Sequence, residues 1–116
     1  MNYPIDKGVI HGVSKDSGTD FFTSHISPKY TPCVFRAQII VSKATKFYAA
    51  VLHDNAGEKK AVFNGNQDLI ADTVYIFDLL VNQGDTVNYE VDDASTTVYC
   101  RVHEIPFGAA PTIDPV

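Results

Sequence analysis

VYIFDLLVNQGDTVNYEV, residues 74–91, contains two apolar-rich runs on either side of the tetrapeptide Asn82-Gln83-Gly84-Asp85. Apolar residues recur at every second position in both runs, which is the period of a β-strand with one buried face. Asn, Gly and Asp are turn formers, so the stretch predicts two antiparallel strands joined as a hairpin. The predicted core face of this pair comprises Tyr75, Phe77, Leu79, Val81, Val87, Tyr89 and Val91.

The first of these runs lies within a longer apolar stretch, LIADTVYIFDLLV, for which a helix is the alternative. An approximate helical stripe is formed by Leu69, Thr73, Ile76 and Leu80. The interior TVYIF, however, is β-branched and aromatic, and such side chains fit a pleated sheet and lose rotamer freedom in a helix. We therefore predict a strand that begins near Leu69.

The same period of two recurs between other turn signals, such as Asn64-Gly65-Asn66. The predicted core positions of CVFRAQIIVS and TTVYCRVHEI are Cys33, Phe35, Ala37, Ile39, Val41, Val98, Cys100 and Val102. TKFYAAVLHD is apolar on both faces, which is typical of a central strand. Short strands separated by turns predict an all-β fold, an antiparallel β-sandwich or jelly roll of about seven to eight strands.

The prolines divide the chain into three parts, because all six lie outside residues 33–105. Proline cannot donate a hydrogen bond to a sheet ladder, so a proline-free segment indicates a compact sheet domain. We predict an extended N-terminal arm over residues 1–32, with one or two edge strands at residues 8–14 and 19–26. This arm is followed by a β-sandwich body over residues 33–105 and an unstructured C-terminal tail over residues 106–116.

The charge balance excludes one class of partner. The chain has 116 residues and a formal net charge of -5, whereas nucleic-acid binders neutralise phosphates with clustered Lys and Arg. No stretch reaches the roughly 18 apolar residues of a membrane span, and the N-terminus lacks the basic and apolar regions of a signal peptide. We expect no nucleic-acid partner, no membrane partner, and synthesis in the cytoplasm.

The sequence contains no catalytic motif and no nucleotide-binding loop. Its four histidines are scattered without metal-ligand spacing: His11, His25, His53 and His103. A pair between His53 and Asp54 is conceivable, although a histidine beside a turn is usually solvated. The clustered acids Asp92-Asp93 are interpreted as turn formers and not as a calcium site. We expect a chain without enzymatic activity, cofactor or metal.

The two cysteines, Cys33 and Cys100, lie inside apolar runs. Two cysteines are too few for a disulfide scaffold. We interpret them as buried small hydrophobic residues, and the sequence leaves open whether they are bonded to each other.

The second face of the predicted strands carries a surplus of apolar residues. Such a face should be covered by an arm, a further layer or another subunit. Tyr48 and Tyr99 could instead stack on a sugar, and ordinary cross-strand pairing of surface tyrosines is a further alternative. The candidate interface residues are Ile40, Tyr48, Leu52, Ile76, Leu80 and Tyr99.

The chain resembles a known class of protein in its size, its arms and the strand pattern of its closing runs, VYIFDLLVNQGDTVNYEV and TTVYCRVHEI. This class comprises the small β-sandwich virion proteins of tailed viruses that decorate or cement a capsid, and the resemblance covers residues 33–105. It implies a non-enzymatic structural subunit that is synthesised in the host cytoplasm and located in the virion. It also implies a homo-oligomer, for example a trimer, that clamps the major capsid protein or another virion protein through its arms and an apolar sheet face.

Two other functions stay open at this point. The first alternative is a carbohydrate- or receptor-binding β-sandwich module, an adhesin or tail-associated domain, with Tyr48, Tyr99 and the acidic turns as its surface. The second is a small enzyme of cupin type, which would need a metal cluster that the scattered histidines do not indicate.

Overall fold

The computed structural model describes residues 9–15, 20–53 and 57–106, and residues 9–15 through their backbone alone. Within these ranges the chain forms seven β-strands in two antiparallel sheets and no α-helix. The prediction of an all-β antiparallel fold is therefore confirmed. A membrane-spanning helix, which would have to be long and apolar, is not formed by any part of the chain that is described.

The strands in chain order are β1 (Val9–Lys15), β2 (Cys33–Val41), β3 (Phe47–His53), β4 (Glu58–Val62), β5 (Tyr75–Val81), β6 (Asp85–Val91) and β7 (Val98–Pro106). Sheet one has the order β1-β7-β2-β5, and sheet two has the order β4-β3-β6. The central position of β3 in sheet two agrees with the prediction from its two apolar faces. Strands that are far apart in sequence, such as β2 and β7, are neighbours in sheet one.

One hydrophobic cluster is shared by the inner faces of the two sheets. The ring centre of Phe77 in sheet one lies 5.8 Å from that of Phe47 in sheet two, and Phe47 stacks on Tyr89 of β6 at 5.5 Å. Large aromatic rings therefore fill the space between the sheets. The predicted core residues Cys33, Phe35, Ala37, Ile39, Val41, Val81, Val87, Tyr89, Val91, Val98, Cys100 and Val102 are buried, and Tyr75, Phe77 and Leu79 pack against them.

The predicted hairpin over residues 74–91 is wrong, because its two strands belong to different sheets. Strand β5 pairs with β2, whereas β6 pairs with β3. The chain does turn between them: the N–H of Asp85 donates to the carbonyl of Asn82 at 3.1 Å, and Gly84 has a φ of 91°. Turn residues reverse the chain locally, but the partner of each strand is chosen by matching across the whole sheet. The predicted core faces of β5 and β6 therefore lie in opposite sheets and face the core from two sides, instead of lying side by side in one sheet.

The prediction that a strand begins near Leu69 is also wrong, since β5 begins at Tyr75. Leu69 is fully buried and forms an isolated bridge with Thr45. The chain then turns at Asp72, which has a φ of 59° and donates its N–H to the carbonyl of Val41 at 2.7 Å. The apolar character of Leu69 reflects the burial of a loop residue and not a strand.

The segment at residues 20–32 packs into the same cluster, although the sequence predicts it as part of an arm. Phe21 and Ile26 are 2% and 7% exposed. The backbone of Ile26 exchanges two hydrogen bonds with that of Val87, at 2.7 and 3.0 Å, and the N–H of Phe21 donates to the carbonyl of Tyr89 at 3.0 Å. The buried cluster therefore extends N-terminal to the predicted body, along the edge of β6.

Glu104 holds this segment from the side of sheet one. Its side chain lies on the inner side of β7 and is fully buried. Oε2 accepts hydrogen bonds from the backbone N–H groups of Lys29 and Tyr30 at 2.6 and 2.7 Å. A buried carboxylate needs such donors, because an unsatisfied charged group is costly to remove from water. The carboxylate of Glu104 thus holds residues 29–30 against β7 of sheet one.

The ends of the chain are only partly described. Strand β1 runs antiparallel to β7 at one edge of sheet one. Residues 1–8 and 16–19 of the predicted arm lie outside the described residues, and so does the predicted tail apart from Pro106, which ends β7.

Candidate functional site

The outer face of sheet one presents exposed apolar side chains. Ile76 and Leu80 of β5 are 60% and 52% exposed, and Tyr99 of β7 is 52% exposed. Ile40 of β2 is half-buried and lies beside Tyr99 in the strand register. We call this surface the sheet-one face; its outward residues on β2, β5 and β7 are Val34, Arg36, Gln38, Ile40, Ile76, Asp78, Leu80, Tyr99, Arg101, His103 and Ile105.

An ion pair crosses the middle of the sheet-one face. Nε and Nη2 of Arg36 donate to the two carboxylate oxygens of Asp78 at 2.8 and 3.0 Å. This bidentate bond raises the pKa of Arg36 and lowers the pKa of Asp78. His103 lies on the other side of Arg36 in the register. Because both members of the pair are about half exposed, its main effect is to orient the guanidinium group and not to stabilise the fold.

A hollow of about 140 Å³ lies on the sheet-one face, next to the ion pair between Arg36 and Asp78. The side chains that line it are Arg36, Gln38, Ile76, Arg101 and His103. In the register, Gln38 lies between Arg101 on β7 and Ile76 on β5. The hollow therefore combines two guanidinium groups, an imidazole and an amide with one apolar wall.

On the outer face of sheet two, polar side chains form contacts within the chain, and Val62 of β4 is an exposed apolar residue. Nζ of Lys60 lies 3.0 Å from Oε1 of Glu90 and 5.4 Å from the ring centre of Tyr48. The hydrogen bond with Glu90 raises the pKa of Lys60. The hydroxyl of Tyr48 donates to Asp92 at 3.2 Å, and desolvation together with this bond raises the pKa of Tyr48. Ala50, in the same strand, is only 5% exposed.

The structure divides the six predicted interface residues between the two outer faces. Four of them lie together on the sheet-one face: Ile40, Ile76, Leu80 and Tyr99. Tyr48 and Leu52 lie on β3 in sheet two, on the face opposite the core. Tyr48 and Tyr99 therefore do not form one stacking platform. The interface role of the six residues stays a prediction.

Sequence reasoning does not single out the charged residues of the sheet-one face. Alternation places Arg36 and Arg101 outward, and an outward arginine in an apolar run was the available signal. The ion pair between Arg36 and Asp78 joins residues 42 positions apart. Only the strand order β7-β2-β5 brings these side chains into one surface.

Two histidines form carboxylate pairs away from this face. Nδ1 of His53 lies 2.5 Å from Oδ1 of Asp85, and the predicted partner Asp54 lies outside the described residues. Nε2 of His25 lies 2.9 Å from Oε2 of Glu58. Among the residues that the structure describes, no group of three or more His, Cys, Asp and Glu could hold a metal ion. The two pairs connect neighbouring strands and loops.

Cys33 and Cys100 are free and buried. Burial, and secondly the charge of Glu104, raises the pKa of Cys33 to about 11, and burial raises the pKa of Cys100 to about 12. Because the thiolate is the reactive form of cysteine, burial and the raised pKa disfavour that form of both side chains at neutral pH. Both pack as small hydrophobic residues, as the sequence predicts.

The comparisons with known proteins assign no family to the chain. No protein-family model matches it, and none of the curated proteins matches it.

The sheet-one face is distinguished by its chemistry, since exposed apolar side chains surround a group of polar side chains. Such a combination is typical of protein–protein contact surfaces.

Proposed function

We propose that the chain is a non-enzymatic structural subunit of a large assembly, namely a capsid decoration or cement protein of a virion. The observation that carries this proposal is the sheet-one face, where Ile76, Leu80 and Tyr99 are each more than half exposed. Single exposed apolar residues are ordinary, whereas a group of them on one sheet face marks a contact surface. In this role the face packs against the major capsid protein or another virion protein.

We also propose that the two sheets form a jelly-roll β-sandwich. From β2 onward the chain visits sheet one, sheet two twice, sheet one, sheet two and sheet one. Residues 21–26 bond to the outer edge of β6 and occupy the position of an additional strand of sheet two. A jelly roll has eight strands in two sheets, so this segment supports the assignment. A closed two-sheet body of this kind is a rigid block that suits a symmetric assembly.

A carbohydrate- or receptor-binding module is less well supported. The ring and hydroxyl of Tyr48 already contact Lys60 and Asp92. In the neighbouring acidic turn, Asp93 accepts hydrogen bonds from the backbone and the hydroxyl of Ser95 at 2.9 and 2.6 Å, and the bond from the hydroxyl is the main cause of the lowered pKa of Asp93. These groups stabilise the turns of the chain itself.

Two matched substitutions test the proposed function. Leu80→Lys places a cation on the sheet-one face, and Val62→Lys places the same cation on β4 of sheet two; the two side chains are 52% and 54% exposed. Both changes should alter the free energy of unfolding by less than about 0.5 kcal/mol. In co-sedimentation with capsids of the virus that encodes the chain, we expect Leu80→Lys to weaken binding at least about tenfold, because it buries an unpaired charge. Val62→Lys should bind like the wild type.

Equal binding by both variants would contradict the sheet-one face as the contact. A wild-type chain that stays monomeric in light scattering and binds no capsid would contradict the assembly role. Deletion of residues 1–32 is a poor test, because it removes the buried side chains of Phe21 and Ile26 and the two backbone donors to Glu104. Such a deletion would unfold the body together with any arm.

A further inference from the structure

We propose that the hollow on the sheet-one face is a carboxylate site, which receives an Asp or Glu side chain from an acidic, apolar-flanked segment of the partner protein. This inference rests on the proposed function, because it names the chemistry of the surface that the sheet-one face contacts. Its basis is the arrangement of Arg101, Gln38 and His103 around one concavity beside the fixed guanidinium of Arg36.

Arg101 is the cation that an incoming carboxylate would contact. Its side chain is exposed and lines the hollow, and the ion pairs found among residues 20–53 and 57–106 involve other groups. On the side of β1, the register partner of Arg101 is Gly12, and a glycine contributes no side chain. A guanidinium group binds a carboxylate through two parallel hydrogen bonds, which gives both strength and orientation.

Arg36 supplies a second cation that is already oriented. Asp78 holds it through two hydrogen bonds of 2.8 and 3.0 Å, and a guanidinium has five N–H donors, so further donors remain. The hollow therefore holds two guanidinium groups and the imidazole of His103, next to a single carboxylate that is already bonded. The local field favours an anion, although the chain as a whole has a formal net charge of -5.

The size and the surroundings of the hollow favour a protein side chain. Its volume of about 140 Å³ is close to that of a cavity that holds one benzene molecule, about 150 Å³, so it admits a head group and not a whole peptide. Ile76 lines the hollow, and the exposed Leu80 and Tyr99 lie on the same face. Apolar residues beside an acid in a partner segment would bury these side chains, whereas a free anion would leave them in water.

An NMR titration of the full-length, ¹⁵N-labelled chain tests the site. The probes are a capped Leu-Glu-Leu tripeptide, its Leu-Gln-Leu analogue and inorganic phosphate. We expect the glutamate peptide to shift amide signals of β2, β5 and β7 around the hollow. We also expect it to bind at least about tenfold more tightly than the glutamine peptide, because only the carboxylate forms charge-assisted bonds.

Substitution of Arg101 sharpens the titration. Arg101→Ala should weaken binding of the glutamate peptide at least about tenfold. Arg101→Lys should restore only part of the lost affinity, because lysine keeps the charge but not the bidentate geometry. Lys59→Ala is the matched control, since it removes an exposed cation from β4 in sheet two; it should leave the affinity unchanged. Dispersed spectra of the variants establish that each is folded.

Equal binding of the two peptides, or unchanged affinity in Arg101→Ala, would overturn the carboxylate site. Tighter binding of phosphate than of the glutamate peptide would overturn it in favour of a general anion site. These results are separate from the proposed function. Loss of capsid binding in Leu80→Lys without peptide binding at the hollow refutes the carboxylate site alone, and peptide binding at the hollow without any capsid binding refutes the capsid role alone.

Discussion

The outer faces of the two sheets both carry apolar and polar side chains, but the polar ones are used differently. On sheet two, Lys60 pairs with Glu90, and Tyr48 donates to Asp92. On the sheet-one face, Ile76 and Leu80 stay exposed around a hollow lined by cations. On the first face the polar side chains bond within the chain beside one exposed apolar residue, Val62, whereas on the second face several apolar side chains are exposed together.

Asn88 of β6 bonds to the neighbouring backbone of the same chain. Its side chain is 4% exposed; Oδ1 accepts from the N–H of Phe22 at 3.0 Å, and Nδ2 donates to the carbonyl of Phe22 at 2.9 Å. The side-chain amide of Asn88 therefore binds the backbone of Phe22 to β6. Gln38, an amide on the sheet-one face, instead lines the hollow. The difference teaches that an outward amide is buried where a neighbouring backbone offers matching hydrogen-bonding groups, and that residue type alone does not decide its exposure.

The largest effect is expected where a buried polar group holds the incoming segment. Glu104→Ala removes the acceptor for two backbone N–H groups, so we expect the free energy of unfolding to fall by about 3 kcal/mol. Glu104→Gln keeps one oxygen acceptor and should lose roughly half as much. Urea denaturation measures both. A loss below about 1 kcal/mol for Glu104→Ala would mean that its two hydrogen bonds do not hold residues 29–30 to β7.

A smaller effect is expected from the paired amides on the two outer faces. Asn88→Ala should lower the free energy of unfolding by about 2 kcal/mol, because it removes two hydrogen bonds between a buried side chain and the backbone of Phe22. Gln38→Ala should change it by less than about 0.5 kcal/mol, as is usual for outer positions without such bonds. The two variants can be compared in the same urea series. Similar losses at both positions would mean that the sheet-one face is also held by the chain itself.

The smallest effect is expected from the ion pair on the sheet-one face. Asp78→Asn should cost at most about 1 kcal/mol near pH 7, because both partners of the pair with Arg36 are about half exposed and solvent screens them. The folded pKa of Asp78 is lowered, so its contribution is fully present above the unfolded pKa of about 3.9. It is lost as the pH falls through the lower folded value.

The pH dependence of that variant can be checked by urea denaturation near pH 7 and near pH 2.5. The difference between wild type and Asp78→Asn should be smaller at the acid value, because the contribution of the ionised carboxylate is lost as the pH falls from the unfolded pKa through the lowered folded pKa. A difference that grows on acidification has the wrong sign and would exclude this ion pair as its origin.

Much of the burial pattern could be predicted from the sequence. Phe35 and Tyr89 are buried and Arg36 and Tyr99 are exposed, as alternation predicts, because a strand with one face in the core repeats its polarity every second residue. The pattern misses Glu104 at a core position, since a single residue between apolar neighbours carries no sign of the two backbone donors that meet it in space.

The pairing of strands could not be predicted in the same way. The tetrapeptide at residues 82–85 has the chemistry of a hairpin turn, yet the strands on either side join different sheets. The carboxylate site likewise depends on β7 lying beside β2, where Arg101 meets Gln38. Residues so far apart in sequence have no local pattern that announces their contact.

By itself, the sequence determined an all-β chain, the core faces of β2, β5, β6 and β7 and the turn at residues 82–85, because these follow from side-chain polarity and backbone preference within a few residues. Only the tertiary structure decided which strands share a sheet, which outward polar side chains bond within the chain and which charged side chains line the hollow. The physical reason is that a strand satisfies its backbone hydrogen bonds on a partner from anywhere in the chain. That choice is made by the complete set of strands together.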